Sequence, residues 1–269
     1  MMNMTETVKQ LIIINVIFFV GSNIVGEAAT HYLALYSPMS DSFRFWQPIS
    51  HMFMHGGIMH IFFNMFALLS FGSLLESLWG PRKFLFFYFS CGLGAAALHL
   101  GANYFEIQSI LSKVSFLELS DDTIHQIINI PFRTGSSLNT QAFTDEALAI
   151  LQGAGKTIDG PELQVLFDAA VINQIPAVGA SGAIYGIMVA FAFLYPNGEL
   201  MMMFIPIPIK AKYFVPILVG LDIFLGVTGK SLFGSGAGVA HFAHVGGALV
   251  GFIMMWYWKK NQFNNRRWN

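Results

Sequence analysis

The sequence predicts an all-α membrane protein: a bundle of six transmembrane helices with a helical extramembrane insertion between helices 3 and 4. Three observations lead there. Of 269 residues, 55% are hydrophobic and 11% are charged, whereas a soluble domain carries about 25% charged residues. Six segments are apolar over close to the roughly 20 residues a helix needs to cross a bilayer. One long stretch, 103–177, is too polar to cross. The formal net charge of −1 gives no electrostatic footprint for nucleic acid. The single cysteine, Cys91, excludes an intrachain disulfide and any cysteine-based metal site, and its apolar neighbours make it a packed thiol.

The first apolar run, 10–29, has no small-residue cleavage site after a short core, so it reads as a retained span and not a signal peptide. The next two spans are 57–78 and 84–102. The fourth and fifth, 178–195 and 212–228, are short; the glycines and prolines they contain are tolerated in membrane helices. The sixth is 238–258, where Trp256 and Trp258 beside Lys259 and Lys260 fit a membrane interface. Six crossings place both termini on one side. Lys9, Arg82, Lys83, Lys210, Lys212, Lys259, Lys260, Arg266 and Arg267 lie on that side; Arg44, Lys113, Arg133, Lys156 and Lys230 lie opposite. Basic residues in short loops mark the cytoplasm, so both termini are expected there. The chain then divides into residues 1–102 (helices 1–3), an acidic, partly helical extracytoplasmic insertion at 103–177, and residues 178–269 (helices 4–6). Within the insertion, Thr144-Asp145-Glu146 opens an apolar-periodic run ending near Gly153, and Gly160-Pro161 opens another with Leu163, Leu166, Phe167 and Ala170 on one face. The insertion reads as a lid or spacer packed on the bundle, or as a surface that binds substrate or partner.

Two strings carry the chemistry: Gly179-Ala180-Ser181-Gly182 at the start of span 4, and Ala243-His244-Val245-Gly246-Gly247 in span 6. A histidine in hydrocarbon is costly and marks function. Neutral imidazole is suited to activate a serine hydroxyl near pH 7. With both spans starting outside, Ser181 lies about one turn below the outer end and His244 roughly 9 Å down. His60 and Asn64, spaced i, i+4 on span 2, fall at similar depth and could join the Ser181 backbone N–H in holding an oxyanion; taken alone they read as helix–helix hydrogen bonders. No acid on spans 4 or 6 matches His244, so a dyad is the economical reading. Tyr185, four residues after Ser181, shares its helix face and could pack on His244, or be an ordinary packing aromatic. Gly182 with Gly186, and Gly247 with Gly251, form small-xxx-small faces that would let spans 4 and 6 touch.

Other polar residues receive blander readings. His51 and His55 have an i, i+4 spacing used by zinc sites, but no glutamate follows His51 and no carboxylate is an obvious third ligand. They belong to the outer loop entering span 2, and no metal is expected. His241, one turn from His244, reads as a contact supporting His244 or as a loop contact. His31, His99 and His125 have no evident partner. Asp222 inside span 5 reads as a hydrogen-bonded structural group facing a wet cavity, or as functional. Glu76 near Arg82 reads as part of an interfacial ion pair.

Taken in order, these motifs resemble the rhomboid family of intramembrane serine proteases. Gly179-Ala180-Ser181-Gly182 is similar to its Gly-x-Ser-Gly nucleophile motif, and Ala243-His244-Val245-Gly246-Gly247 to its Ala-His-x-x-Gly base motif. His55, then His60-Ile61-Phe62-Phe63-Asn64, is similar to its His…His-x-x-x-Asn stretch. Tyr185 corresponds to the tyrosine that packs on the catalytic histidine, and Glu76, Gly80 and Arg82 to the turn after span 2. The resemblance implies a water-accessible cavity opening outward, with Ser181 as nucleophile and His244 as base then acid. His60, Asn64 and the Ser181 N–H would hold the oxyanion; Gly179, Gly182, His55 and Tyr185 would support the site. It implies membrane-protein substrates cleaved within transmembrane segments near the outer face, a lipid bilayer as surroundings, and no cofactor or metal. Span 5 and the stretch 227–238 would gate access. The expected location is a bacterial inner (plasma) membrane. Two features depart from the family pattern: the long acidic insertion, and Phe43-Arg44-Phe45-Trp46 where a Trp-Arg pair is common. Two other functions fit the composition: a non-catalytic membrane-helix-binding chaperone or adaptor on the same fold, and a transporter or metal-handling protein dependent on His51 and His55.

Overall fold

The computed structural model describes residues 4–134, 137–202, 205–228 and 238–260. Lys230, Arg266 and Arg267, and nearly all of the expected gating stretch 227–238, lie outside the described residues.

Helix α1 (Glu6–Val25) ends at Gly26, whose φ of +75° turns the chain into α2 (Glu27–Leu33). The loop that follows, the outer loop of the expected topology, holds α3 (Gln47–Ser50) and a 3₁₀ turn, His51–Phe53. Its staple is Gln47, fully buried, which donates to the carbonyls of His31 (3.2 Å) and Ser42 (2.9 Å) and accepts from the Tyr36 amide (3.3 Å). Next come α4 (Ile58–Ala67), a π turn (Leu68–Gly72) and α5 (Ser73–Trp79), which together form one apolar helix, Ile58–Trp79. Gly80 (φ +76°) and Pro81 open α6 (Pro81–Ser112), since proline is tolerated in a first turn. At 32 residues α6 is about 48 Å long, so it runs past a bilayer core and into the insertion.

The insertion contains α7 (Asp121–Ile128), a two-stranded hairpin of β1 (Arg133–Thr134) and β2 (Ser137–Leu138), α8 (Thr140–Gly153) and α9 (Gly160–Gln174). It builds a core of its own around Ile107, Ile127, Phe132, Phe143 and Leu166. Helix α8 starts four residues ahead of the expected Thr144, because the Asn139 side chain accepts from the Ala142 amide and caps it there. Helix α9 carries a capping box of Asp159 and Glu162. The insertion is fastened to the outer loop. Leu35 and Ala177 exchange backbone hydrogen bonds (2.9 and 2.8 Å). Asn129 bonds the Asp41 amide and the Met39 carbonyl (both 3.0 Å), and His125 pairs with Asp41 at 3.6 Å. His125 therefore does have a partner, as does His99, whose Nε2 lies 3.4 Å from Asn103.

Helix α10 (Ser181–Leu194) is followed by an antiparallel hairpin, β3 (Glu199–Met202) and β4 (Ile205–Lys210), which the sequence reading did not anticipate. Helices α11 (Ala211–Thr228) and α12 (Gly238–Trp258) are the last helices among the described residues. Among the described residues, four helices are long and apolar enough to cross a membrane: α1, Ile58–Trp79, α6 and α11. Helix α10 is apolar but only 14 residues long, and α12 has 21 residues. Large apolar side chains such as Ile17, Phe66, Ile217, Phe224 and Phe252 point outward from these helices; lipid, not water, is the solvent in which such a surface is stable. The bundle core is built from Leu68, Phe84, Phe87, Tyr88, Cys91, Ile187 and Ala248. At the end of the bundle where Trp79 meets Trp258, Lys83 Nζ sits 4.0 Å above the Trp258 ring.

Glu76 corrects an expectation. Its carboxylate, 6% exposed, accepts hydrogen bonds from the Thr5 hydroxyl and from the amides of Thr7 (3.1 Å) and Val8 (3.0 Å). It caps the N-terminus of α1, where four amides lack helical partners and the helix dipole favours negative charge; its partners are not Arg82. Glu76→Ala is expected to cost about 1–3 kcal/mol, read as a lower unfolding midpoint, and to expose a protease site at the start of α1. An unchanged midpoint and cleavage pattern would refute this capping role.

Candidate active site

The site forms where α4, α10, α11 and α12 meet beneath the outer loop. Gly179 sets the approach. Its φ of +126° is strained for any residue with a side chain, and a methyl group built on it would lie 2.8 Å from His60 Nε2 and 3.5 Å from Ser181 Oγ. Its amide donates to the His51 carbonyl (2.9 Å), which ties the strand entering α10 to the outer loop. Ser181 is the first residue of α10, so its backbone N–H belongs to the set that a helix cannot satisfy internally.

Ser181 Oγ lies 2.9 Å from His244 Nε2. The Tyr185 ring stacks on the His244 ring with centroids 4.3 Å apart and planes within 10°. Tight contact of α10 with α12 brings these groups together. Methyl groups built on Gly182, Gly186, Gly247 and Gly251 would all collide with the facing helix or with Cys91 and Ala95. The other ring nitrogen, His244 Nδ1, lies 3.2 Å from Asp222 Oδ1 on α11, and His241 Nδ1 bonds the same oxygen. Asp222 is 5% exposed. The expectation that no acid accompanies the histidine holds for spans 4 and 6, but span 5 supplies one. Asp222 is the residue whose connection to His244 the sequence analysis lacks, and through it His241, expected only as a contact near His244, joins the same cluster. A His-x-x-His pair on one helix face was the available signal.

On α4, the amide of Gly56 donates to His60 Nδ1 (3.3 Å), so the ring proton stands on Nε2, the atom facing Gly179 and Ser181. Asn64 is buried and uses one N–H on the His60 carbonyl (2.8 Å), which leaves its second N–H as a donor. His55 packs edge-on against His60, ring centroids 5.1 Å apart. His51 and His55 lie in the outer loop. Burial pushes both imidazoles down from the ordinary 6.5 to about 4, and His60 adds to the effect on His55. A histidine held neutral in the fold but free to protonate when unfolded adds stability that is complete above pH 6.5 and is lost as pH falls toward 4. The unfolding midpoint is therefore expected to drop over that interval, and His51→Gln to flatten the drop. An identical pH dependence in the variant would refute it.

Among the described residues, the one group of three potential metal ligands is Asp222, His241 and His244, each offering an atom within 4.8 Å of the others. His51 and His55 are not part of it. Its hydrogen bonds satisfy several of the same atoms without an ion.

Comparison with known proteins identifies the family. The Rhomboid domain model matches residues 42–106 and 148–261, together more than half of the chain. "RHOMBOID-like protein 12, mitochondrial" of Arabidopsis thaliana is 26% identical over 215 residues, 80% of this chain and 47% of the relative. "Rhomboid protein 1, mitochondrial" of Saccharomyces cerevisiae is 31% identical over 86 residues, 32% of this chain and 23% of the relative. The chain thus spans about half the length of the first relative and about a quarter of the second. Both are mitochondrial by name, so neither supports a bacterial plasma membrane. The domain match decides what the ordered motifs pointed to: the chain is an integral membrane protein of the rhomboid family.

Proposed function

We propose that the chain is an intramembrane serine endopeptidase that cleaves transmembrane helices of other membrane proteins near the outer face. It would cross the bilayer six times with both termini cytoplasmic, and residues 103–177 would form an extracytoplasmic unit between two halves of the bundle. The observation that carries the reading is the 2.9 Å contact of Ser181 Oγ with His244 Nε2 across 63 residues of sequence.

The chemistry follows from that contact. As Ser181 Oγ attacks the scissile carbonyl, its proton passes to His244 Nε2. The carbonyl oxygen becomes an oxyanion, for which the Ser181 N–H, His60 Nε2–H and the free N–H of Asn64 are the available donors. Collapse breaks the C–N bond, and the imidazolium returns its proton to the leaving amine. Water then attacks the acyl ester, with His244 again as base, and releases the carboxylic acid and the Ser181 hydroxyl. Tyr185 supports the reading by fixing the plane of the His244 ring.

The test is cleavage of a panel of membrane-helix reporters, with product masses measured, alongside labelling of Ser181 by a fluorophosphonate. Folded wild-type protein that is neither labelled nor cleaves any reporter, and that binds the helices equally well as Ser181→Ala, would indicate a helix-binding chaperone or adaptor instead.

A further inference from the structure

Asp222 takes no part in the two-residue chemistry above, yet it is a buried carboxylate in an apolar helix, where an ionisable group is expensive to keep. Around it on α11, Leu221, Ile223 and Phe224 face outward. Its hydrogen-bonding partners on α12 are two imidazoles one helical turn apart, and both approach through Nδ1 to a single oxygen, Oδ1. For His244 to accept the Ser181 proton, Nε2 must be bare. A neutral imidazole carries one proton, so that proton stands on Nδ1, and Asp222 Oδ1 is the acceptor 3.2 Å away. His241 Nδ1 bonds the same oxygen; an ionised carboxylate only accepts, so with Asp222 ionised both imidazoles donate to it through Nδ1.

We propose that Asp222 is a positioning residue that fixes the tautomer and ring orientation of His244, and that His241 holds Asp222 in place. The relay Ser181–His244–Asp222–His241 then runs across α10, α12 and α11. The inference rests on the reading of Ser181 and His244 as the acyl-transfer pair and goes beyond it, since a dyad requires no carboxylate. Asp222 never contacts the reacting atoms; it acts through the imidazole. Its absence leaves His244 free to carry its proton on Nε2, the wrong nitrogen for a base.

The experiment uses full-length protein in chelator-treated detergent or bilayers. Nitrogen-15 NMR of labelled histidine reads the His244 tautomer in the wild type, and fluorophosphonate kinetics read the reactivity of Ser181. The expected wild-type state is Nδ1–H with a bare Nε2. In Asp222→Asn the population moves toward Nε2–H, and labelling slows, by up to the order of 10⁴-fold, while the unfolding midpoint stays near that of the wild type. His241→Gln slows labelling by less than Asp222→Asn does. A wild type in which His244 is mainly Nε2–H would overturn the inference, as would a folded Asp222→Asn labelled at the wild-type rate. Should Asp222→Asn not fold, the wild-type tautomer decides alone. The protease reading fails separately, in folded wild-type protein that takes no label, and the tautomer in that same sample still judges the positioning role.

Discussion

Ser181→Ala is expected to abolish reporter cleavage and fluorophosphonate labelling, a loss on the order of 10⁴-fold or more, while the protein stays folded. Both halves follow from the position of the hydroxyl. In the proposed mechanism it is the nucleophile whose attack precedes cleavage of the peptide bond, and the neighbouring His60, His241 and Tyr185 are placed to donate, orient or pack. Structurally, its one hydrogen bond to His244 is worth about 1 kcal/mol, and an alanine at the start of α10 removes a single oxygen from a half-buried place. Binding of membrane helices should survive. His244→Ala should match the loss of activity, because a serine without its base is a weak nucleophile. Cleavage by Ser181→Ala at wild-type rates would move the chemistry elsewhere.

What was legible in the sequence, and what was not, follows from the range over which each signal acts. Among the described residues, apolar length found the four helices long enough to cross a bilayer, and the end of α12 at Trp258 matches its expected boundary. Residue type and depth together singled out Ser181 and His244, whose contact spans 63 residues. That contact was inferable because glycines mark where α10 and α12 approach. Asp222 was harder. It lies on a third helix with no motif, and the orientation of α11 about its own axis is set by packing that no local pattern encodes. Glu76 failed for the same reason. Arg82 is its neighbour in sequence, while the amides it caps belong to residues about 70 positions away. The β3–β4 hairpin is different: Ile205-Pro206-Ile207-Pro208-Ile209 alternates, and its prolines forbid a helix. That signal is local, unlike those of Asp222 and Glu76.

Gly247→Ala should be the most damaging substitution outside the chemistry. A methyl group built on Gly247 would lie 1.8 Å from the Gly182 carbonyl oxygen and 2.5 Å from its carbon. These are backbone atoms inside a helix, so no side chain can rotate to make room, and α10 and α12 must part. Gly182 directly follows Ser181, and Gly247 lies one turn after His244. The collision is thus the contact that sets the Ser181–His244 distance. One turn further on, Gly251 faces Gly186 in the same way, with a built methyl 2.7 Å from the Gly186 Cα, so the seam cannot pivot to relieve the strain. Overpacking of this kind costs about 1–3 kcal/mol. A displacement near 1 Å at the nucleophile costs on the order of 100-fold in rate. The matched control is Gly101→Ala on α6, where nothing lies within 4 Å of the added methyl and the gain in helix propensity is about 0.5–1 kcal/mol. Labelling rate and unfolding midpoint, measured for both variants, separate the contact from the residue type. If Gly247→Ala behaves like Gly101→Ala, the two helices do not touch at this seam, and the 2.9 Å contact between Ser181 and His244 loses its structural cause.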